Sequence, residues 1–104
     1  MSRIDALLAF LADDPDDSFS WFALASEYGK AGRTTEAIDT FKALVARDPA
    51  YVGTYYHLGK AYGAAGQVTD AAAAYRAGIT EASRQRDTHA RSELQSALME
   101  LEGT

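Results

Sequence analysis

Residues 18–49 read SFSWFALASEYGKAGRTTEAIDTFKALVARDP, and residues 52–83 read VGTYYHLGKAYGAAGQVTDAAAAYRAGITEAS. Sliding one over the other by 34 positions superimposes Leu24 on Leu58, Tyr28 on Tyr62, Gly29 on Gly63, Ala31 on Ala65, Gly32 on Gly66, Thr35 on Thr69 and Ala37 on Ala71. Trp21 meets Tyr55, Phe22 meets Tyr56, Phe41 meets Tyr75 and Lys42 meets Arg76. Self-similarity at a fixed period of this length identifies a repeat architecture, in which one unit cannot bury its apolar face alone.

Each unit reads as two helices. Trp21, Leu24, Ala25 and Tyr28 fall at i, i+3, i+4 and i+7, one face of a helix. Gly32 follows, where a glycine past a helix end belongs. Ala37, Phe41, Leu44 and Val45 form a second face, and Asp48-Pro49 stops it, because a residue before proline disfavours the helical region. The second unit repeats the pattern with Tyr55, Leu58, Gly59 and Tyr62, then Gly66, then Ala71, Tyr75, Gly78 and Ile79.

The flanks read as helices too. Ile4, Leu7, Leu8 and Leu11 make one stripe, and the 34-residue shift places it on the second helix of the first unit, with Pro15 on Pro49. Ala90, Leu94, Ala97, Leu98 and Leu101 make another stripe, preceded by a break near Arg86-Asp87. The expectation is six helices and no strands.

These residues resemble the tetratricopeptide repeat family. Its pattern sets a large aromatic, Leu-Gly and Tyr on the first helix, then Ala, an aromatic and Ala on the second, with Pro closing the unit. Here the first unit supplies Trp21, Leu24-Ala25, Tyr28, Ala37, Phe41, Leu44 and Pro49. The second supplies Tyr55, Leu58-Gly59, Tyr62, Ala71, Tyr75 and Gly78, with Ser83 where proline is usual. The match is close over residues 18–85 and looser in the flanks. The resemblance implies an all-α fold, a right-handed α-α superhelix of helical hairpins with two full repeats. A single domain over residues 1–104 is expected: a half-repeat at 1–17, repeats at 18–51 and 52–85, and a capping helix at 86–104. Without a proline at Ser83, the helix starting near Val68 is expected to run on. Gly78 inside it is expected to cost about 1 kcal/mol relative to alanine. Truncating Trp21 or Phe41 to alanine is expected to cost roughly 3–5 kcal/mol.

Composition narrows the function. Net charge is -5, which argues against nucleic acid and anionic membrane surfaces as partners, since both call for clustered Lys and Arg. Nine Asp and six Glu stand against three Lys, a balance found in salt-adapted hosts. With no cysteine, disulfides and thiol chemistry are absent. The apolar run at residues 6–12 has Asp5 before it and Asp13, Asp14, Asp16 and Asp17 after it. It therefore reads as a buried helix and not as an export signal. No run approaches the ~20 apolar residues of a membrane span. The expected location is the cytoplasm.

Catalytic chemistry finds little support. His57 reads as a half-buried polar neighbour of a core face, with a ligand or catalytic role as the alternative, and His89 reads as solvated. The Asp13–Asp17 acids read as helix-start acids, with a weak calcium site as the alternative. Arg76, Arg84, Arg86 and Arg91 are interleaved with Glu81, Asp87 and Glu93, so they read as a solvated helix face, with an acidic partner surface as the alternative. No phosphate loop or metal-binding motif appears. The chain is expected to be no enzyme and to use no cofactor or metal.

Five of the eleven aromatics lie outside the repeat framework: Phe10, Phe19, Phe22, Tyr51 and Tyr56. Phe10 belongs to the first helix. Phe19, Phe22 and Ser26 share a face, and Tyr56 and Lys60 hold the matching face of the next unit. The family resemblance implies that this face lines a concave groove for partner peptides; packing against the first helix is the alternative for Phe19 and Phe22. The expected partner-binding residues are Phe19, Phe22, Ser26, Tyr56, Lys60 and Arg91, and the expected partner is a protein or peptide. Some relatives clamp a chaperone's terminal carboxylate with Lys, Asn and Arg. The matching positions here are Phe22, Ser26, His57 and Arg91, so that activity is not expected. The alternative function is a self-assembly unit, a homo-oligomer formed through the apolar first helix.

Overall fold

The computed structural model describes residues 2–103. They form six helices: α1 (Arg3–Asp13), α2 (Ser18–Lys30), α3 (Thr34–Arg47), α4 (Gly53–Ala64), α5 (Val68–Gln85) and α6 (Thr88–Glu102). No strand occurs among the described residues. Two compact units result, Met1–Asp48 with α1 to α3 and Pro49–Thr104 with α4 to α6.

In the first unit, α1 begins with a capping box. The Ser2 hydroxyl accepts from the Asp5 backbone N–H at 3.1 Å, and the Asp5 carboxylate accepts from the Ser2 N–H at 3.4 Å. Leu11 of α1 joins Leu24 and Tyr28 of α2 and Ala37 of α3 in one cluster, with Ile4, Leu7 and Trp21 packed against it. Two sequence expectations change here. Leu8 is 45% exposed and does not share the buried stripe, and Trp21 is only half-buried. The Trp21 indole donates to the Pro15 carbonyl at 2.7 Å, and the Arg47 guanidinium lies 4.6 Å from the ring centroid. The ring thus carries a hydrogen bond and a cation at a site that is not fully dry.

The α2–α3 turn is a Schellman motif. Gly32 has φ +76, its N–H donates to the Gly29 carbonyl at 3.1 Å, and the Arg33 N–H donates to the Tyr28 carbonyl at 2.9 Å. The α4–α5 turn repeats it through Gly66, with φ +77 and the Gln67 N–H on the Tyr62 carbonyl at 2.9 Å. The α5–α6 turn has the same hydrogen bonds but no glycine. The Asp87 N–H donates to the Ala82 carbonyl at 2.8 Å, and Arg86 takes the left-handed position at φ 59.

With Ser83 in place of a proline, α5 extends over 18 residues, against 14 in α3. Asp87 then caps α6, its carboxylate accepting from the Ala90 N–H at 3.0 Å. Asp17 stands at the N-cap of α2, but its carboxylate accepts from the Ser20 hydroxyl and from no backbone N–H of the helix.

Small residues set the helix spacing in the second unit. A Cβ on Gly59 would stand 2.3 Å from the Tyr75 ring. A Cβ on Gly78 would stand 2.6 Å from the Tyr55 Cβ and 3.0 Å from Leu94 Cδ1. Gly78 is therefore more than a helix-weakening residue. It lets Tyr55 of α4 and Leu94 of α6 close on α5, an approach its neighbours could not make past a methyl group.

Candidate partner-binding face

The aromatics outside the repeat framework are held by the framework aromatics. In the first unit, Phe22 of α2 sits edge-on to Phe41 of α3, with ring centroids 5.8 Å apart. In the second, Tyr56 of α4 lies 6.3 Å from Tyr75 of α5 in a tilted arrangement. The two pairs are 34 residues apart at both members, so the same helix–helix contact is built twice. Phe41 and Tyr75 are buried, whereas Phe22 and Tyr56 are half-buried. Each outer ring is thus held by a framework ring and keeps part of its surface exposed, as an aromatic anchor does before it meets a partner.

Around this pair in the first unit, Ser26 is half-buried and Phe19 is 66% exposed. Ser26 lies one turn beyond Phe22 on α2, as its spacing predicts. In the second unit, Lys60 Nζ is 5.6 Å from the Tyr56 ring centroid, at cation–π range, and the His57 ring is edge-on to Tyr56 at 5.5 Å. His57 is exposed by its surface and not the half-buried neighbour expected from sequence. Desolvation of the ring still holds its pKa below the ordinary 6.5, with the Glu93 carboxylate pulling the other way.

A cleft of about 300 Å³ continues from Lys60 within the second unit. Gly63 and Ala64 of α4, Tyr75 of α5 and Ala97, Glu100 and Leu101 of α6 complete its lining. Burial raises the Tyr75 pKa above 10.0, and the nearby Tyr56 and Glu100 act in the same direction. The cleft therefore combines an apolar floor with a neutral phenol, an ammonium on one wall and a carboxylate on the other. That combination suits a side chain or chain segment carrying both apolar and polar groups.

Arg91 is exposed on α6. Glu93 acts on His57, and Ala97 and Glu100 line the cleft, so the spacing 93, 97, 100 marks the side of α6 that meets α4. At about 100° per residue, Arg91 lies roughly opposite that row. Of the charged groups on this side of α6, Glu93 acts on His57 and Glu100 shares the cleft with Lys60. Sequence reading missed Glu93 and Glu100, although their i, i+7 spacing places them on one face. His89, at the start of α6, is exposed and 3.8 Å from Glu93. No group of three or more His, Asp or Glu able to hold a metal ion occurs among the described residues. Nor is any of their helices long and apolar enough to cross a membrane.

Hairpins of equal design, joined by glycine turns and carrying the same aromatic pair, define an all-α helical-repeat protein. A sequence model of the tetratricopeptide repeat matches residues 4–51 and 22–87, and the chain belongs to that family. It is similar to a tetratricopeptide repeat domain protein from Salinibacter ruber, solved by NMR in solution. Identity is 43% and the TM-score 0.82, with 86% of this chain and 90% of that chain covered. A protein from Bordetella parapertussis is 26% identical with a TM-score of 0.83, covering 98% of this chain and 89% of that one. The Yersinia enterocolitica type III secretion translocator chaperone SycD shares the fold, with a TM-score of 0.85 at 14% identity over 95% of this chain and 69% of that one. No curated protein matches the chain.

Proposed function

We propose that this chain is a non-enzymatic protein–protein interaction module, an adaptor or scaffold that binds a peptide or protein segment. The observation that carries this reading is the repeated aromatic pair. Phe22 on Phe41 and Tyr56 on Tyr75 each hold a half-buried ring against a buried one. The candidate partner residues are Phe19, Phe22 and Ser26 within the first unit and, separately, Tyr56 and Lys60 within the second. The cleft beside Lys60 adds Tyr75 and Glu100. A partner segment with apolar side chains and a charge of each sign fits this lining. A cytoplasmic location accords with the cysteine-free sequence.

The test is affinity capture from host lysate with the wild type, Phe22→Ser/Tyr56→Ser and Lys60→Glu side by side, after circular dichroism shows each to be folded. Lys60 is exposed, so its variant keeps the test decisive if the aromatic variant is unstable. The expected result is a partner held by the wild type and lost from both variants. A partner retained by folded forms of both would place binding elsewhere. The second reading, self-assembly through α1, draws on the exposure of Leu8 and Phe10 and uses a different surface.

A further inference from the structure

The 34-residue shift that relates the repeats also places α1 on α3. Under it Arg3 falls on Ala37, Ala6 on Thr40, Phe10 on Leu44 and Asp13 on Arg47. In α3 the first three of these positions are buried, at 1% for Ala37, 9% for Thr40 and 0% for Leu44. Ala37 packs with Leu24 and Tyr28 of α2, the hairpin partner of α3. The α1 positions are bare: Arg3 and Ala6 are exposed and Phe10 is 48% exposed. Helix α1 thus has the face of a hairpin's second helix, left exposed among the described residues. A large ring stands in water where the repeat has a fully buried leucine.

The chemistry of this face identifies its occupant. At about 100° per residue, positions 3, 6, 10 and 13 fall within an arc of about 80°. Along the axis they are symmetric about the level of Leu8, with 3 and 13 five residues to either side and 6 and 10 two residues to either side. Turned end for end, the stripe therefore meets itself with opposite character. A guanidinium faces a carboxylate, and a methyl faces a phenyl ring. Ala9, exposed beside the stripe, adds a second small residue at which two helices can approach. Isologous interfaces require this property: residue i meets j while j meets i.

We propose that α1 pairs with α1 of a second copy of this chain, antiparallel about a two-fold axis at the level of Leu8. Phe10 of each copy packs over Ala6 of the other, and Arg3 of each faces Asp13 of the other. Antiparallel packing also sets each helix's N-terminal partial charge beside the other's C-terminal one. Arg3, itself exposed, already lies 3.6 Å from the half-buried Glu27, so the second carboxylate joins an existing ion pair. The capping box at Ser2 and Asp5 keeps α1 helical through Arg3. This surface is separate from the groove face, and the proposal does not depend on what that face binds.

Two short helices bury a small area, so the pairing is one of high concentration. Sedimentation velocity on the whole chain, up to about 500 µM, reads it directly, because dimer fraction follows mass action. The wild type is expected to reach a dimer, and Phe10→Glu to weaken it by about tenfold or more, since a central aromatic anchor is lost. Circular dichroism checks that the variant stays folded, which the exposure of Phe10 favours. Arg3→Glu alone and Asp13→Arg alone are each expected to weaken the dimer, and the two together to restore it. Each single variant places like charges across the axis, and the double variant restores opposite ones. A wild type that stays monomeric over this range overturns the proposal. So does a dimer indifferent to Phe10→Glu, and so does a double variant no stronger than the single ones.

Discussion

The indole N–H of Trp21 donates to the backbone carbonyl of Pro15 at 2.7 Å. Thirty-four residues on, the Tyr55 hydroxyl donates to the carbonyl of Pro49 at 2.6 Å. Two different side chains make one bond, each to a proline six residues earlier. In each case the acceptor is a carbonyl of the loop that leads into the helix carrying the donor. Tyr55→Phe keeps the ring and removes the donor. It is expected to lower stability by about 0.5–1.5 kcal/mol, read as a lower urea midpoint at unchanged slope. Trp21→Phe loses the bond and weakens the cation–π contact with Arg47, at a half-exposed site. Its effect is expected to lie in the same range.

Glycine substitutions are expected to divide by sign. Gly29→Ala lies in the last turn of α2 with nothing within 4 Å of the new Cβ, so it should stabilise by about 0.5 kcal/mol. Gly78→Ala gains the same propensity but drives a methyl to 2.6 Å from the Tyr55 Cβ. It is expected to destabilise by about 1–3 kcal/mol, the usual effect of overpacking. Thermal unfolding of the two variants checks the opposite signs.

Ser20 and Thr54 are also 34 residues apart, and both hydroxyls are buried. The Ser20 hydroxyl donates to the Asp17 carboxylate, whereas the Thr54 hydroxyl, with Tyr51 at the corresponding position, makes no hydrogen bond. A buried hydroxyl without a partner carries its desolvation cost unrelieved. Thr54→Val keeps the shape and removes the hydroxyl. It is expected to raise stability by about 1 kcal/mol, whereas Ser20→Ala, which strands the Asp17 carboxylate, should lower it. Paired urea titrations would show the contrast.

Acid is expected to weaken the fold in two stages. His57 has its folded pKa below 6.5 because its ring is desolvated. Above 6.5 both states are neutral there. As pH falls through 6.5 the unfolded chain takes up the proton first, and stability declines until the folded pKa is passed. His57→Gln is expected to flatten this slope. Glu36, hydrogen-bonded by Arg33, and Glu81, hydrogen-bonded by Gln85 and Arg84, have pKa values lowered from 4.5. Their contribution is present above 4.5 and is lost as pH falls through the lowered folded values. Urea midpoints measured from neutral pH downward, with and without His57→Gln, separate the two stages.

Much of this fold can be read in the chain itself. The stripe Leu24, Ala25, Tyr28 is buried as its spacing requires, and Gly32 and Gly66 take the positive φ that a glycine after a helix implies. The long α5 follows from Ser83, since nothing at that position stops a helix. The candidate site was legible in part. Phe22 and Tyr56 stood out because the repeat framework had no use for them, and Ser26 and Lys60 lie one turn beyond them on their helices. Glu93 and Glu100 were not found, because an acidic residue on a solvated helix looks the same whether or not a neighbouring helix brings it to a cleft. Arg91 was assigned by carrying the 34-residue period forward. On α6 it lies roughly opposite the row Glu93, Ala97 and Glu100, which repeat spacing alone does not reveal.

The sequence by itself determined the number of helices, their ends and the period that relates them, since these depend on neighbours within a few residues and on a pattern seen twice. Only the tertiary structure decided which glycines are spacers and which merely weaken a helix. Gly29 and Gly78 look alike in the sequence, but just one of them has Tyr55 and Leu94 against it. Only the tertiary structure, likewise, left Phe10 in water while burying Leu44 at the same repeat position. Periodicity states which side of a helix is apolar. Whether that side is covered depends on a second helix being there, and no local run of residues carries that information.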